Sequence, residues 1–461
     1  LGAIAGVAGR ATDPSRVVED LLLAMRHRGT RTAVASTGAG WAIGCSAMRN
    51  PEEHFLESTQ QALAVEGSFF QRSDDVKFVR RRLLKGTVRK GVADLMCEPG
   101  EFAVLGRLRR RMLVFRDPNG LKPLYYDDER NWAAFASERK ALWRIGLKKP
   151  RRILPGCLYV IDNRELKQTR LFEFTRAVER RMSFEQAASQ LALRLKRSIV
   201  RITKNVDKVA VAFSGGLDSA VAAELAKHTC DTQLVSVGLA GSSELTTVEK
   251  YARMIDLPIS IQAFELSTLE NYVRRVVWLI EEPSLMKVSV AVPLHWVSMV
   301  AARKGFKVVL CGQGSDELYG GYYKYARTLD TSGRTALMNE LYQSVINASQ
   351  VNYERDEQAT APFGIELRTP FADLDVIRFS LTIPSQHKVK AGNDLMRKWV
   401  LRSVAKRLGL NEDIVWRRKK AIQHGTGVEN AIRRLAKNRR QTVESYLMAI
   451  YSEVKNLESM P

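Results

Sequence analysis

Cysteine is scarce and unpaired in this chain. Its 461 residues hold five, Cys45, Cys97, Cys157, Cys230 and Cys311, an odd number with no CxxC spacing. A disulfide framework or a thiolate zinc site needs paired, regularly spaced cysteines. Neither is expected, and a reducing, cytoplasmic setting follows. The six histidines fall into no HExxH or comparable ligand spacing, which leaves them as surface or structural residues rather than metal ligands. No uninterrupted apolar run reaches the length that crosses a bilayer, and no basic-then-apolar leader opens the chain, so no membrane partner is expected. The GxxxxGK[ST] pattern of a Walker phosphate loop is missing, as are internal repeats and low-complexity tracts. The first residue is Leu rather than Met, which points to a trimmed or omitted start.

What is present is the composition of a soluble globular protein, 45% apolar and 26% charged, long enough for two or three domains with their own cores. Lysine and arginine number 72 against 50 acidic residues, a net charge of +22. Basic clusters recur at Arg80-Arg81-Arg82, Arg109-Arg110-Arg111, Lys148-Lys149-Pro150-Arg151-Arg152 and Arg417-Arg418-Lys419-Lys420, and continue through Arg433, Arg434, Lys437, Arg439 and Arg440. One reading is a polyanionic partner such as RNA. The other is a solvated basic surface. The second is favoured, because aromatics are not interleaved with the charges and no RNA-binding motif occurs.

From Leu1 to about Glu173, short apolar runs alternate with turn signals. This predicts a strand-rich domain with helices around 17–25 and 76–84. Ser183, followed by Phe184 and Glu185, marks a helix N-cap leading into an amphipathic helix through about Ile202. From Val209 the reading alternates: strands at 209–213, 233–238, 259–264 and 307–311, helices at 220–227, 249–255, on to 280, and 294–303. Such alternation implies a parallel sheet with helices on both faces and sites at the carboxyl ends of its strands. Beyond Arg334 the pattern is largely helical.

Val209 to Ala223 reads VAVAFSGGLDSAVAA. An apolar strand runs into Ser214-Gly215-Gly216-Leu217-Asp218-Ser219, and a helix follows. The glycines let the backbone turn sharply and approach an anion. The serine hydroxyls and the free N–H groups of the helix start then face a phosphate. Asp218 beside that phosphate requires a divalent cation between them. The arrangement suits cleavage of ATP between its α and β phosphates, and SGGxDS resembles the signature of the N-type ATP pyrophosphatases. A second glycine-rich turn, Gly312-Gln313-Gly314-Ser315-Asp316-Glu317-Leu318-Tyr319-Gly320-Gly321-Tyr322, follows the strand at 307–311. Asp316 there would complete a magnesium site with Asp218. Near the C-terminus, KWVLR at 398–402 and RRKKAIQHGTG at 417–427 offer lysines that could stabilise charge on the α-phosphate or pyrophosphate.

Together with GIELRTPFADLDV at 364–376, these segments resemble the asparagine synthetases and their β-lactam-synthetase relatives. RHRG at 26–29, RDPNGLKPLYY at 116–126 and FASERKAL at 135–142 resemble the class II glutamine amidotransferase domain of the same family. The resemblance implies an α/β fold: an N-terminal Ntn-like αββα sandwich at 1–175, then a doubly wound parallel-sheet ATP pyrophosphatase domain, adenine nucleotide α-hydrolase-like, with a helical C-terminal part, at 183–461. It assigns pyrophosphate to Ser214, Gly215, Gly216, Asp218 and Ser219, magnesium to Asp218 and Asp316, and adenosine to Phe213, Val237, Cys311 and Gly312. Lys419 falls on the catalytic lysine of the β-lactam-forming relatives, and Lys398 becomes a second phosphate contact. The implied reaction adenylates a small carboxylate with ATP and Mg2+, then lets a nitrogen nucleophile displace AMP. A homo-oligomer is expected.

The chain also departs from the family. Glutamine-dependent members start the mature chain with Cys-Gly, whose thiol attacks the glutamine amide. This sequence begins Leu1-Gly2, with no cysteine before Cys45. The family's Asn-Gly-Glu, whose Asn supports the oxyanion, reads Glu66-Gly67-Ser68 here, and a carboxylate would repel a developing oxyanion. Glutaminase chemistry is therefore not expected. Asparagine synthetases usually carry Glu at the position of Gln313, and a neutral amide cannot be a general base. Glu354-Arg355-Asp356-Glu357 offers substitutes, although most of that stretch reads as surface charge. The expected function is an amide-forming ligase that uses ammonia or a substrate amine. The alternative is an RNA-modifying or RNA-associated ATP pyrophosphatase.

Overall fold

Alternating apolar residues in the N-terminal third pair into two antiparallel six-stranded sheets. The computed structural model describes all residues except 1, 10–12, 37–39, 59–60, 73, 130–131, 163–164, 177–178, 456 and 458–461, so Leu1 lies outside the described residues. Gly2–Gly9 runs through the first sheet between Trp41–Ala47 and Trp132–Ala136. Gln61–Phe69, Gly100–Leu108, Arg111–Arg116 and Cys157–Asp162 lie side by side in the second. Because successive strand side chains alternate faces, each sheet contributes one apolar face to a shared layer holding Ile4, Ile43, Ala64, Leu105 and Val114. The outer faces are covered by helix Pro14–Ala24 on the first sheet and by Asp75–Leu84 and Val88–Leu95 on the second. The result is an αββα sandwich.

Helix Phe184–Ile202 opens the C-terminal part. Ser183 caps it, and Gln186 closes the reciprocal capping box, a local device that fixes the helix start whatever packs around it. A five-stranded parallel sheet follows, in the order Ile259–Phe264, Asp231–Leu239, Lys208–Ala212, Val308–Leu310, Glu366–Arg368. The strand order reverses at Lys208–Ala212, and clefts for ligands open at the carboxyl ends beside such a point. Two elements differ from the sequence reading. The expected helix at 220–227 starts earlier, at Leu217, because Gly216 is an extended N-cap; Asp218 and Ser219 are therefore in its first turn. The last strand, Glu366–Arg368, lies in a region read as helical. Glu366 and Arg368 interrupt its apolar pattern, and pairing with Val308–Leu310 imposes the extended form. Helix Leu285–Arg303 is long and apolar enough to cross a membrane by length and composition, which the search for uninterrupted apolar runs passes over; 67% of its apolar window is buried inside the protein.

Candidate active site

The SGGLDS loop leaves the carboxyl end of the central strand. Gly215 takes φ +65, and Gly216 N–H donates to Ser214 Oγ at 3.3 Å. Ser219 Oγ donates back to the Gly216 carbonyl at 3.1 Å. The second turn leaves the neighbouring strand and passes close by: a Cβ on Gly312 would lie 2.6 Å from Asp218 Cβ. Only a glycine lets the two loops meet there.

Four charges sit where the loops converge. Lys398 Nζ donates to both Asp218 carboxylate oxygens at 2.7 Å and to Ser315 Oγ at 2.7 Å, and lies 2.6 Å from Asp316 Oδ1. Lys419 Nζ donates to Asp316 Oδ2 at 2.5 Å and is 3.9 Å from Asp218 Oδ2. Burial by itself would raise the Asp316 carboxyl, but Lys398 and Lys419 hold it well below the usual carboxylate range. Burial would lower the Lys419 ammonium, but Asp316 and Asp218 push it up to about 12. Asp316 and Lys419 are thus held charged, and the four side chains form one ion-pair network. Two carboxylates reached by one lysine also fit a small divalent cation, which takes one or two carboxylates plus substrate phosphates. No group of three or more metal-ligating side chains occurs among the described residues.

These residues line a cavity of about 580 Å³. Of the twelve residues expected from the sequence, Phe213, Ser214, Gly216, Asp218, Ser219, Val237, Cys311, Gly312, Asp316, Lys398 and Lys419 all border it, and Gly215 sits in the loop behind. Val235, Leu294 and Val297 add apolar wall that the sequence reading missed, as do Tyr322 and Asn352 at the polar wall, where Arg355 and Asp356, from the stretch weighed for a substitute base, also stand. Two expectations are corrected. The cluster Arg417 to Lys420, read as solvated basic surface apart from Lys419, also borders the cavity: Arg418 and Lys420 are exposed at its rim, while Arg417 donates to the Ser214 carbonyl at 2.8 Å. Glu354, Arg355, Asp356 and Glu357, read mostly as surface charge, are all buried. Glu354 and Glu357 take their counter-charges from distant parts of the chain, which a local reading does not see, while Arg355 and Asp356 pair with each other.

The N-terminal sandwich carries its own charge cluster. Arg28, fully buried, donates to Glu66 Oε1 at 2.8 Å, to Glu138 Oε1 at 2.6 Å and to both oxygens of Glu357 at 2.9 and 2.5 Å. Ser137 Oγ donates to the other Glu66 oxygen at 2.5 Å. Burial pushes Glu66 up to about 7 against the pull of Arg28. The Glu66 carboxylate is therefore occupied within an ion-pair cluster rather than offered to a ligand. Further along the same interface, Glu354 accepts from Arg116, Arg152 and Tyr125 at 2.9, 2.7 and 3.0 Å.

The family profile described as Asparagine synthase matches residues 190–350 and 329–453, and the Glutamine amidotransferase domain profile matches 56–178. A protein of Methanocaldococcus jannaschii described as a putative glutamine-hydrolyzing asparagine synthetase 1 is 33% identical over 383 residues, 73% of this chain and 70% of that protein. The glutamine-hydrolyzing asparagine synthetase B of Escherichia coli is 25% identical over 346 residues, 71% of this chain and 60% of its own. A solved glutamine phosphoribosylpyrophosphate amidotransferase from B. subtilis overlaps 57% of this chain and 81% of its own at 15% identity, with a TM-score of 0.34, too low to carry weight. The two profiles define a protein in which an amidotransferase-type sandwich is joined to a synthetase-type parallel-sheet unit. The chain belongs to the asparagine synthase family.

Proposed function

We propose that this chain is an ATP-dependent amide-forming ligase. It adenylates a small carboxylate, releases pyrophosphate, and couples the acyl group to ammonia or an amine without hydrolysing glutamine. The observation that carries this reading is the quartet of Asp218, Asp316, Lys398 and Lys419, set on glycine turns at the ends of two parallel strands. Adenylation builds negative charge on the α-phosphate and the leaving pyrophosphate. Preorganised cations aimed at that charge stabilise the transition state without reorganising. Lys398 and Lys419 take this role, with the SGGLDS amides and hydroxyls holding the pyrophosphate. Asp218 and Asp316 would hold a magnesium ion, which neutralises phosphate charge when bound. Phe213, Val237, Cys311 and Gly312 border the nucleoside end. The unit at 1–175 is taken as amidotransferase-like in fold alone. Glu66, tied to Arg28 and Ser137, supplies a carboxylate where a glutaminase needs an oxyanion donor.

The RNA alternative rests on fewer charges than the sequence suggests. The 417–420 cluster borders the cavity, while Arg82, Arg111 and Arg152 pair with Glu98, Asp162 and Glu354. Carboxylate-dependent exchange of pyrophosphate into ATP, measured with and without ammonium, tests the ligase reading. Exchange is expected in the wild type and lost in Asp218→Ala. Absence of exchange with every amino acid and dicarboxylate tried, together with salt-dependent RNA retention, would move the assignment to the alternative.

A further inference from the structure

Amide formation from an acyl adenylate needs a group that takes a proton from the attacking nitrogen. Few of the cavity's polar side chains can do so. Asp316 and Asp218 hold Lys419 as an ammonium group, and Lys398 is engaged in ion pairs with the same two carboxylates. Gln313 is a neutral amide, and the Tyr322 hydroxyl is already donated to Glu317 Oε1 at 2.6 Å. Glu244 stands beside Arg417 and Lys420, on the side of the SGGLDS loop. That leaves Asp356.

Asp356 is 2% exposed and borders the cavity. With Gln313 it also borders a small void of about 20 Å³, so the two side chains are neighbours at this end of the site. Its Oδ1 accepts from Arg355 Nε at 2.7 Å and lies 2.6 Å from Arg355 Nη2. Arg355 is itself anchored by the Val351 carbonyl at 3.2 Å. The other oxygen, Oδ2, is buried and has no hydrogen-bond partner among the described residues. A buried carboxylate oxygen left without a donor is costly, and an amine or ammonia entering the cavity supplies the missing N–H. Burial raises the Asp356 carboxyl above its usual range although Arg355 opposes it, which makes it a better proton acceptor than an exposed aspartate.

We propose that Asp356 holds the nitrogen nucleophile through Oδ2 and takes its proton as the amide forms. This rests on the ligase reading above. The nitrogen lone pair makes the new C–N bond at the acyl carbon, the acyl C–O bond to AMP breaks, AMP leaves with that electron pair, and one N–H proton passes to Asp356. The site thereby accepts neutral ammonia or a primary amine.

The test compares two rates on the full chain with ATP, magnesium chloride and, as probes, L-aspartate, L-glutamate or succinate. The first rate is carboxylate-dependent pyrophosphate exchange, and the second is amide formation from ammonium chloride. In Asp356→Asn, amide formation is expected to fall about a hundredfold relative to exchange, the scale of a lost general base. Trapping of the acyl adenylate by hydroxylamine, a stronger nucleophile largely unprotonated at neutral pH, should fall far less. Asp356→Glu keeps the charge beside Arg355 and should recover part of the ammonia rate; it carries the same comparison if Asp356→Asn fails to fold. Equal loss of exchange, ammonia ligation and hydroxylamine trapping in both variants overturns the proposal and leaves the ligase reading standing. Absence of exchange in the wild type overturns both.

Discussion

Replacing Arg28 with Met removes the guanidinium shared by Glu66, Glu138 and Glu357. Breaking a buried ion pair from one side typically costs about 3–5 kcal/mol, because the abandoned charge stays desolvated. Two of the three carboxylates keep a second cation: Lys140 lies 2.5 Å from Glu138, and Lys122 lies 3.8 Å from Glu357. Glu66 keeps the Ser137 hydroxyl and the weaker pull of Lys122, so the expected loss is about 3–5 kcal/mol rather than a multiple of it. Its pH dependence has a definite sign. Glu66 titrates near 7 when folded, against 4.5 for an ordinary glutamate. Between those values the folded state holds a proton that the unfolded chain has released, so the Glu66 contribution to stability falls as pH rises through that window. Arg28 is the strongest influence opposing the shift, and without it the window extends upward. Denaturant unfolding of Arg28→Met and wild type, at about pH 5.5 and about pH 8, should give a deficit clearly larger at the higher pH. A deficit equal at both values, or below about 1 kcal/mol as for an exposed pair, would refute the reasoning.

Two further outcomes follow from the quartet and the loops. On the proposed function, Lys419→Ala removes one of the two lysines that stabilise phosphate charge and should lower pyrophosphate exchange about 10²- to 10³-fold, the scale of a lost oxyanion donor. The KM for ATP should change much less, because in the proposed reaction the SGGLDS loop still holds the pyrophosphate. Gly312→Ala would place a methyl 2.6 Å from Asp218 Cβ and push the two turns apart. Isothermal titration should show ATP binding weakened at least tenfold, and denaturant unfolding should show a loss of about 1–3 kcal/mol, the scale of strain at a tight backbone approach.

The legible parts of this chain are those whose cause is local. Strand, glycine turn and helix follow one another within Val209 to Ala223, so SGGLDS could be placed at a strand's carboxyl end from spacing alone. The capping box at Ser183 and Gln186 is equally local. Lys398 is 180 residues from Asp218, and Lys419 is 103 from Asp316; nothing in their immediate sequence separates them from a solvated face, and only the resemblance to a known family singled them out. The misread segments fail for the same reason in reverse. Charged residues are seldom buried unless paired, so Glu354 to Glu357 reads as surface until Arg28, Arg116 and Arg152 are brought in from 329, 238 and 202 residues away. Strand Glu366–Arg368 has no pattern of its own and exists by pairing with its neighbour.

Helix Glu354–Thr360 joins the two units in one element. Its seven residues are all buried, and its charges divide by helical phase. Glu354 and Glu357, three apart and so on one face, take Arg116, Arg152 and Arg28 from the N-terminal sandwich. Arg355 and Asp356 lie between them in sequence and border the cavity. Glu354 and Glu357 would each lose buried counter-charges if the sandwich were removed, and the helix presenting Asp356 would lose the ion pairs that fix its rotation. The sandwich therefore has a physical role at the synthetase cavity that needs no chemistry of its own: it holds one wall of that cavity through ion pairs reaching across from Arg28, in the RHRG segment itself.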